Sequence, residues 1–162
     1  MKLNRRLSGL SPAVTYGLLN ALVGLIVAFY VFTQAIGDGY EVLMLAAPLG
    51  MFCIGALFWK ATMKNEKIEA GRIIFLGILV GIIAHYLTWI FAGIFMNLCY
   101  WCFGGCTDSF GDAPESIFGM FAFGIVLSFF SILFVGWMTI AGSILCGVVM
   151  WWIEKRKRSG QE

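Results

Sequence analysis

Histidine occurs once in this 162-residue chain, at position 85, and charged side chains make up only 12% of it. A single imidazole excludes haem held by paired histidines. It also leaves a metal-dependent protease or hydrolase without a second nitrogen ligand. The shortage of charge, beside 60% hydrophobic residues and a mean hydropathy of +0.89, excludes a soluble domain with a solvated surface. Between three short clusters, Lys2 to Arg6, Lys60 to Arg72 and Lys155 to Arg158, there is not one lysine or arginine. A formal net charge of +2 so distributed is a topology signal. It is no footprint for nucleic acid, because the bases flank apolar runs and have no folded surface on which to gather.

What is present is length enough to cross a bilayer several times. A hydrocarbon core needs about 20 apolar residues per helix, and four stretches qualify, at about 12–36, 40–60, 73–98 and 125–153. The first opens with Ser11-Pro12, a helix-start signal, and closes at Gly37-Asp38-Gly39, so spans one and two form a hairpin. Lys2, Arg5 and Arg6 precede it as in a signal peptide, but the apolar run is too long for a cleaved signal and is read as a retained span. Pro48 is expected to kink the second span. Ala46 and Gly50 beside it, and Gly77 and Gly81 in the third span, are small residues that let another helix approach. They are assigned to helix packing or to a partner-binding face.

The last apolar tract, 117–153, would make a helix of roughly 55 Å, too long for one perpendicular crossing. Two crossings would put its basic tail on the side opposite the other bases, against the positive-inside rule. One crossing is therefore expected, with the excess absorbed by an interfacial helix within an outer loop at 99–124 or by strong tilt. The fold class that follows is an all-α polytopic membrane protein, a single four-transmembrane-helix bundle with both termini cytoplasmic. The outer stretches then hold Asp38, Glu41, Asp108, Asp112 and Glu115 and no base. Trp59, Trp151 and Trp152 fall at the inner boundary, and Tyr40, Tyr100 and Trp101 at the outer one.

Two groups can carry chemistry. His85, near the middle of the third span, is expected to hydrogen-bond across the bundle to Thr139 or Ser143, with Thr88 one turn on, and to tune packing, the alternative being a ligand-binding or proton-sensing role. The remaining intramembrane polar residues make no evident continuous stripe. Cys99, Cys102 and Cys106 lie at the outer end of the third span, where oxidising conditions favour a disulfide. Cys102–Cys106 and Cys99–Cys106 both close more easily than Cys99–Cys102 if the helix continues through that last pair, and the sequence does not choose between them. Cys53 and Cys146 are expected to act as small buried hydrophobes.

The placement of the outer cysteines resembles, in architecture alone, the four-helix thiol oxidases that pass electrons to quinones. The second outer loop, however, has no cysteine with which to relay electrons. No catalytic set, metal site or cofactor site is assigned. The expected function is that of a non-enzymatic small membrane protein binding another membrane component, as an accessory, immunity or exclusion protein of a bacterial inner membrane. Its partners would be the lipid bilayer and another membrane protein, or copies of itself. The alternatives are a membrane thiol-disulfide oxidoreductase using the outer cysteines and a small oligomeric channel or transporter.

Overall fold

The computed structural model describes residues 11–36, 39–63, 69–107 and 112–159, without the side chains of 157–159. The amino-terminal basic cluster, Gly37-Asp38 of the expected turn, residues 64–68 of the second basic loop and Asp108 lie outside this set. Helix α1, Pro12–Gln34, begins where Pro12 can take the first turn, and the Ser11 hydroxyl accepts from the Val14 N–H at 3.3 Å. After Gly39, at φ 90°, comes one turn of 3-10 helix, Tyr40–Val42, and the Glu41 carboxylate accepts from the Gly39 N–H at 3.0 Å. Helix α2, Leu43–Thr62, runs on through Pro48.

Helix α3, Ala70–Phe103, extends past both expected ends of the third span and stops at Gly104 in the left-handed region. Helix α4 covers Ile117–Ser159, 43 residues without a break. It starts at a hydroxyl cap, Ser116, whose Oγ accepts from the Gly119 N–H at 3.0 Å. Residues 117–124 are thus the first turns of α4, not an interfacial segment apart from it. They are held to α3 because Gly93 gives Met120 room and the Tyr86 hydroxyl donates to the Phe121 carbonyl at 3.3 Å. All four helices are long and apolar enough to span a membrane.

The helices pack in ring order, α1 on α2, α2 on α3 and α3 on α4, and the fourth seam, α1 with α4, is far thinner. One core cluster, around Tyr16, Met51, Trp59, Leu76, Val80 and Met150, fills the end nearest the basic clusters. A second, of Ala28, Leu43, Ala46 and Ala92, lies toward the cysteine end. Large apolar side chains of α4, among them Phe129, Phe134 and Trp137, point outward while its buried face is small or hydroxylic. That inversion suits a solvent of lipid tails, in which apolar surface has no reason to hide and close backbone approach supplies the packing. At the basic end Lys155 lies 5.3 Å from the centroid of Trp151, and Arg156 lies 3.4 Å from that of Trp152.

Candidate functional site

Ser128, Ser131, Thr139 and Ser143 recur at spacings of 3, 8 and 4, close to whole helical turns, and so share one face of α4. Three of the four are buried and Ser131 is half-buried. The expectation that the polar residues form no stripe is therefore corrected for this helix. The face meets polar groups of α1 and α3 at two levels.

At the level nearer the basic end, the Ser143 hydroxyl donates to Asn20 Oδ1 at 2.7 Å, and the Tyr16 hydroxyl donates to the Ser143 carbonyl at 3.2 Å. Asn20 Nδ2 donates to the Tyr16 carbonyl at 2.9 Å. Ser143, one of two expected partners of His85, is thus engaged by α1 instead.

Further along α4, His85 lies between Thr139 Oγ1, 2.9 Å from Nε2, and Ser131 Oγ, 2.9 Å from Nδ1. With the proton on Nε2, Thr139 accepts it and donates to the Gly136 carbonyl at 2.9 Å, while Ser131 donates to Nδ1. With the proton on Nδ1, Ser131 accepts it and donates to the Ser128 carbonyl at 3.1 Å, while Thr139 donates to Nε2. Both tautomers leave both ring nitrogens satisfied within the bundle. Trp89 Nε1 adds a long 3.4 Å bond to Ser131 Oγ. Ser131, Trp89 and Asn20 had no role assigned from sequence, and Tyr16 was not singled out; the helical spacing of the α4 hydroxyls is the signal that points to Ser131. Thr88 turns back on its own helix, donating to the Ala84 carbonyl at 2.8 Å.

The small-residue motifs fill the seams of the bundle. A β-carbon on Gly77 would lie 2.8 Å from Ile144 Cα, and one on Gly81 would lie 2.8 Å from Ile140 Cα. The face expected to meet a partner is occupied by the chain's own α4. One on Gly50 would fall 3.1 Å from the Thr88 nitrogen, and Ala46 is wholly buried, so these two serve the α2–α3 side.

Cys99 and Cys106 form a disulfide, S–S 2.12 Å with Cα atoms 5.7 Å apart, which settles the choice between the two pairings that closed easily. Cys102 is free and exposed. Asn97 ties the same region down, donating to the Gly93 and Glu115 carbonyls at 2.9 Å each. Cys146 is buried, but Cys53 is exposed on the bundle exterior, contrary to expectation, because its position on α2 faces away from both neighbouring helices, α1 and α3. Among the described residues no group of acids, cysteines and histidine is arranged to hold a metal ion.

The thin α1–α4 seam decides where space remains. Toward the basic end it is closed by Tyr16 and Asn20 on Ser143, and by Val23 packed on Gly142. From Gly24 onward α1 and α4 part around a cavity of about 490 Å³, within the usual range for small-ligand sites. Val27, Ala28, Val31, Leu43, Ala47 and Val135 give it an apolar wall, and His85, Thr88, Trp89, Ser131 and Thr139 line its α3–α4 side. The exposed side chains of Tyr30, Phe130 and Phe134 frame its opening. A smaller cavity, about 340 Å³, adjoins it at Tyr40, Leu43 and Trp89 and reaches Glu115. Among the described residues no charged side chain lines the larger cavity.

Comparison with protein families, with curated proteins and with solved structures finds no match for this chain.

Proposed function

We propose that this is a non-enzymatic integral membrane protein that works by binding another component of its bilayer, in the class of accessory, immunity or exclusion proteins. It sits in a bacterial inner membrane with both termini cytoplasmic, because every basic cluster then lies inside and the two acidic loops, one of them bearing the cysteines, lie outside. The single observation that carries the reading is the cleft between α1 and α4. Three seams of the bundle are packed to backbone contact, whereas half of the fourth is left open around a preformed cavity facing the lipid. A helix seam left open is costly in lost packing. A membrane component that enters it supplies the missing contacts.

The reading is tested by placing a photoreactive phenylalanine analogue at Phe134, on the rim, and at Phe75, an exposed position on α3 away from it. Irradiation in cells should give a discrete, reproducible adduct from position 134 and only diffuse products from position 75. Indistinguishable products would make the cleft ordinary lipid-facing surface and remove the proposal.

A further inference from the structure

The cavity has a length, a direction and a chemical gradient. Along α1 it runs from Gly24 to Gln34, ten steps along the helix, which at 1.5 Å rise each is about 15 Å. That is half of a hydrocarbon core of about 30 Å, the depth of one leaflet. Its deep part is apolar or, at His85, Ser131 and Thr139, polar but already hydrogen-bonded within the bundle. A polar guest gains nothing there, since every bond it made would replace one already formed.

At the opposite end the situation reverses. Tyr30, Gln34 and Tyr40 line the mouth, and none of the three side chains makes a hydrogen bond among the described residues. Glu115 lines the adjoining cavity, Glu41 sits on the turn between them, and no described base stands at this end. The pattern matches an amphiphile lying parallel to the helices, its hydrocarbon chain inside and its headgroup at the mouth.

We propose that the α1–α4 cleft holds one hydrocarbon chain of a lipid from the leaflet on the cysteine side, with a zwitterionic, ammonium-bearing headgroup over Gln34, Tyr40 and Glu115. The proposal rests on the cleft being the binding site and names its occupant. The chain replaces the α1–α4 packing that is missing from Gly24 onward. The ammonium faces the Glu115 carboxylate, and an anionic headgroup would meet it without a compensating base among the described residues.

The test uses the full chain in phosphatidylcholine vesicles holding a trace of phosphatidylethanolamine with a diazirine at the end of one acyl chain, followed by peptide mapping. Crosslinks should concentrate on 24–35 and 127–139. They should be lost in Val31→Trp, which fills the cavity, and be kept in Leu57→Trp, which adds the same bulk on the exposed face of α2. Glu115→Lys, where among the described residues only the backbone carbonyl of the native residue is hydrogen-bonded, covers the case in which Val31→Trp fails to fold. It should reverse a preference for phosphatidylethanolamine over a phosphatidylglycerol probe of the same chains. Crosslinks spread evenly over the exposed face of α4, or an unchanged map in Val31→Trp, would show annular lipid only and overturn the inference. If the in-cell adduct at Phe134 were a protein segment, this occupant would be wrong while the binding reading stood; absence of any discrete adduct would remove both.

Discussion

His85 holds α3 to α4 through two hydroxyls of the same opposing helix. Interhelical hydrogen bonds in membranes average about 0.6 kcal/mol and reach about 1.7. His85→Ala removes two of them and leaves a void, so a loss of about 1–3 kcal/mol is expected from reversible unfolding in detergent. His85→Ala and Thr139→Val should be less than additive when combined, because each removes the same bond. Additive losses would mean that the 2.9 Å contact contributes nothing. Part of this was readable beforehand: a lone histidine in a span needs a partner, and Thr139 was one of two candidates. Ser131 was not, because choosing among hydroxyls requires the rotation of α4 about its axis, and its burial is set by contacts with two other helices. The cysteines show the same limit. Spacing removed Cys99–Cys102 but left two closures, and the left-handed backbone of Cys106, φ 57°, belongs to the one that forms. Replacing Cys99 and Cys106 together by serine opens a short loop, for which chain entropy gives about 2 kcal/mol. Protease cleavage between 99 and 115 should speed up while helix content stays unchanged; unaltered cleavage would show that Asn97 alone holds the segment.

Helix α4 exchanges the usual division between faces, presenting glycine and hydroxyls inward and phenylalanine outward. Its contact with α3 depends on Gly77 and Gly81, where any β-carbon would meet Ile144 or Ile140 backbone under 3 Å away. Backbone cannot yield as a flexible side-chain tip does, so Gly77→Leu with Gly81→Leu should overpack the seam by about 3 kcal/mol or more. The variant should still insert, its hydropathy being higher, but α3 and α4 should separate. Cysteine crosslinking between the two helices reports this directly, and retention of the crosslink would show that the seam can widen at little cost. The number and approximate course of the helices were legible in charge and hydropathy alone, since crossing a bilayer is a one-dimensional requirement on the sequence. Where α4 begins was not, because residues 117–124 satisfy an interfacial and a transmembrane helix equally by composition. Met120 seated on Gly93 and Asn97 bonded to Glu115 decide it, and those contacts join segments of chain far apart in sequence.

The bundle as a whole is closed at one end and open at the other. Tyr16, Asn20 and Ser143 lock α1 to α4 beside the basic clusters, and the cleft begins one turn beyond. The proposed lipid site lies in one leaflet and so has meaning only with a defined orientation, which makes the bundle's use depend on which side the cysteines face. On the proposed topology, positive charge at three separate chain segments acts in concert: Lys2 to Arg6, Lys60 to Arg72 and Lys155 to Arg158 fall before the first, between the second and third, and after the fourth of the helices long and apolar enough to span, and reversing the protein would carry all eleven bases across the membrane. The three free thiols report the outcome, because they differ in access. Cys146 is buried, Cys53 is exposed on the outer surface of α2, and Cys102 is exposed in the last turn of α3, beside the loop. A membrane-impermeant maleimide applied to intact cells should therefore label one residue, with Cys102→Ser removing the signal. Mild reduction should add Cys99 and Cys106. Epitopes at the two termini should become reachable only after permeabilisation. Termini accessible on intact cells, with all three loop cysteines protected even after reduction, would invert the bundle and move the cleft to the opposite leaflet.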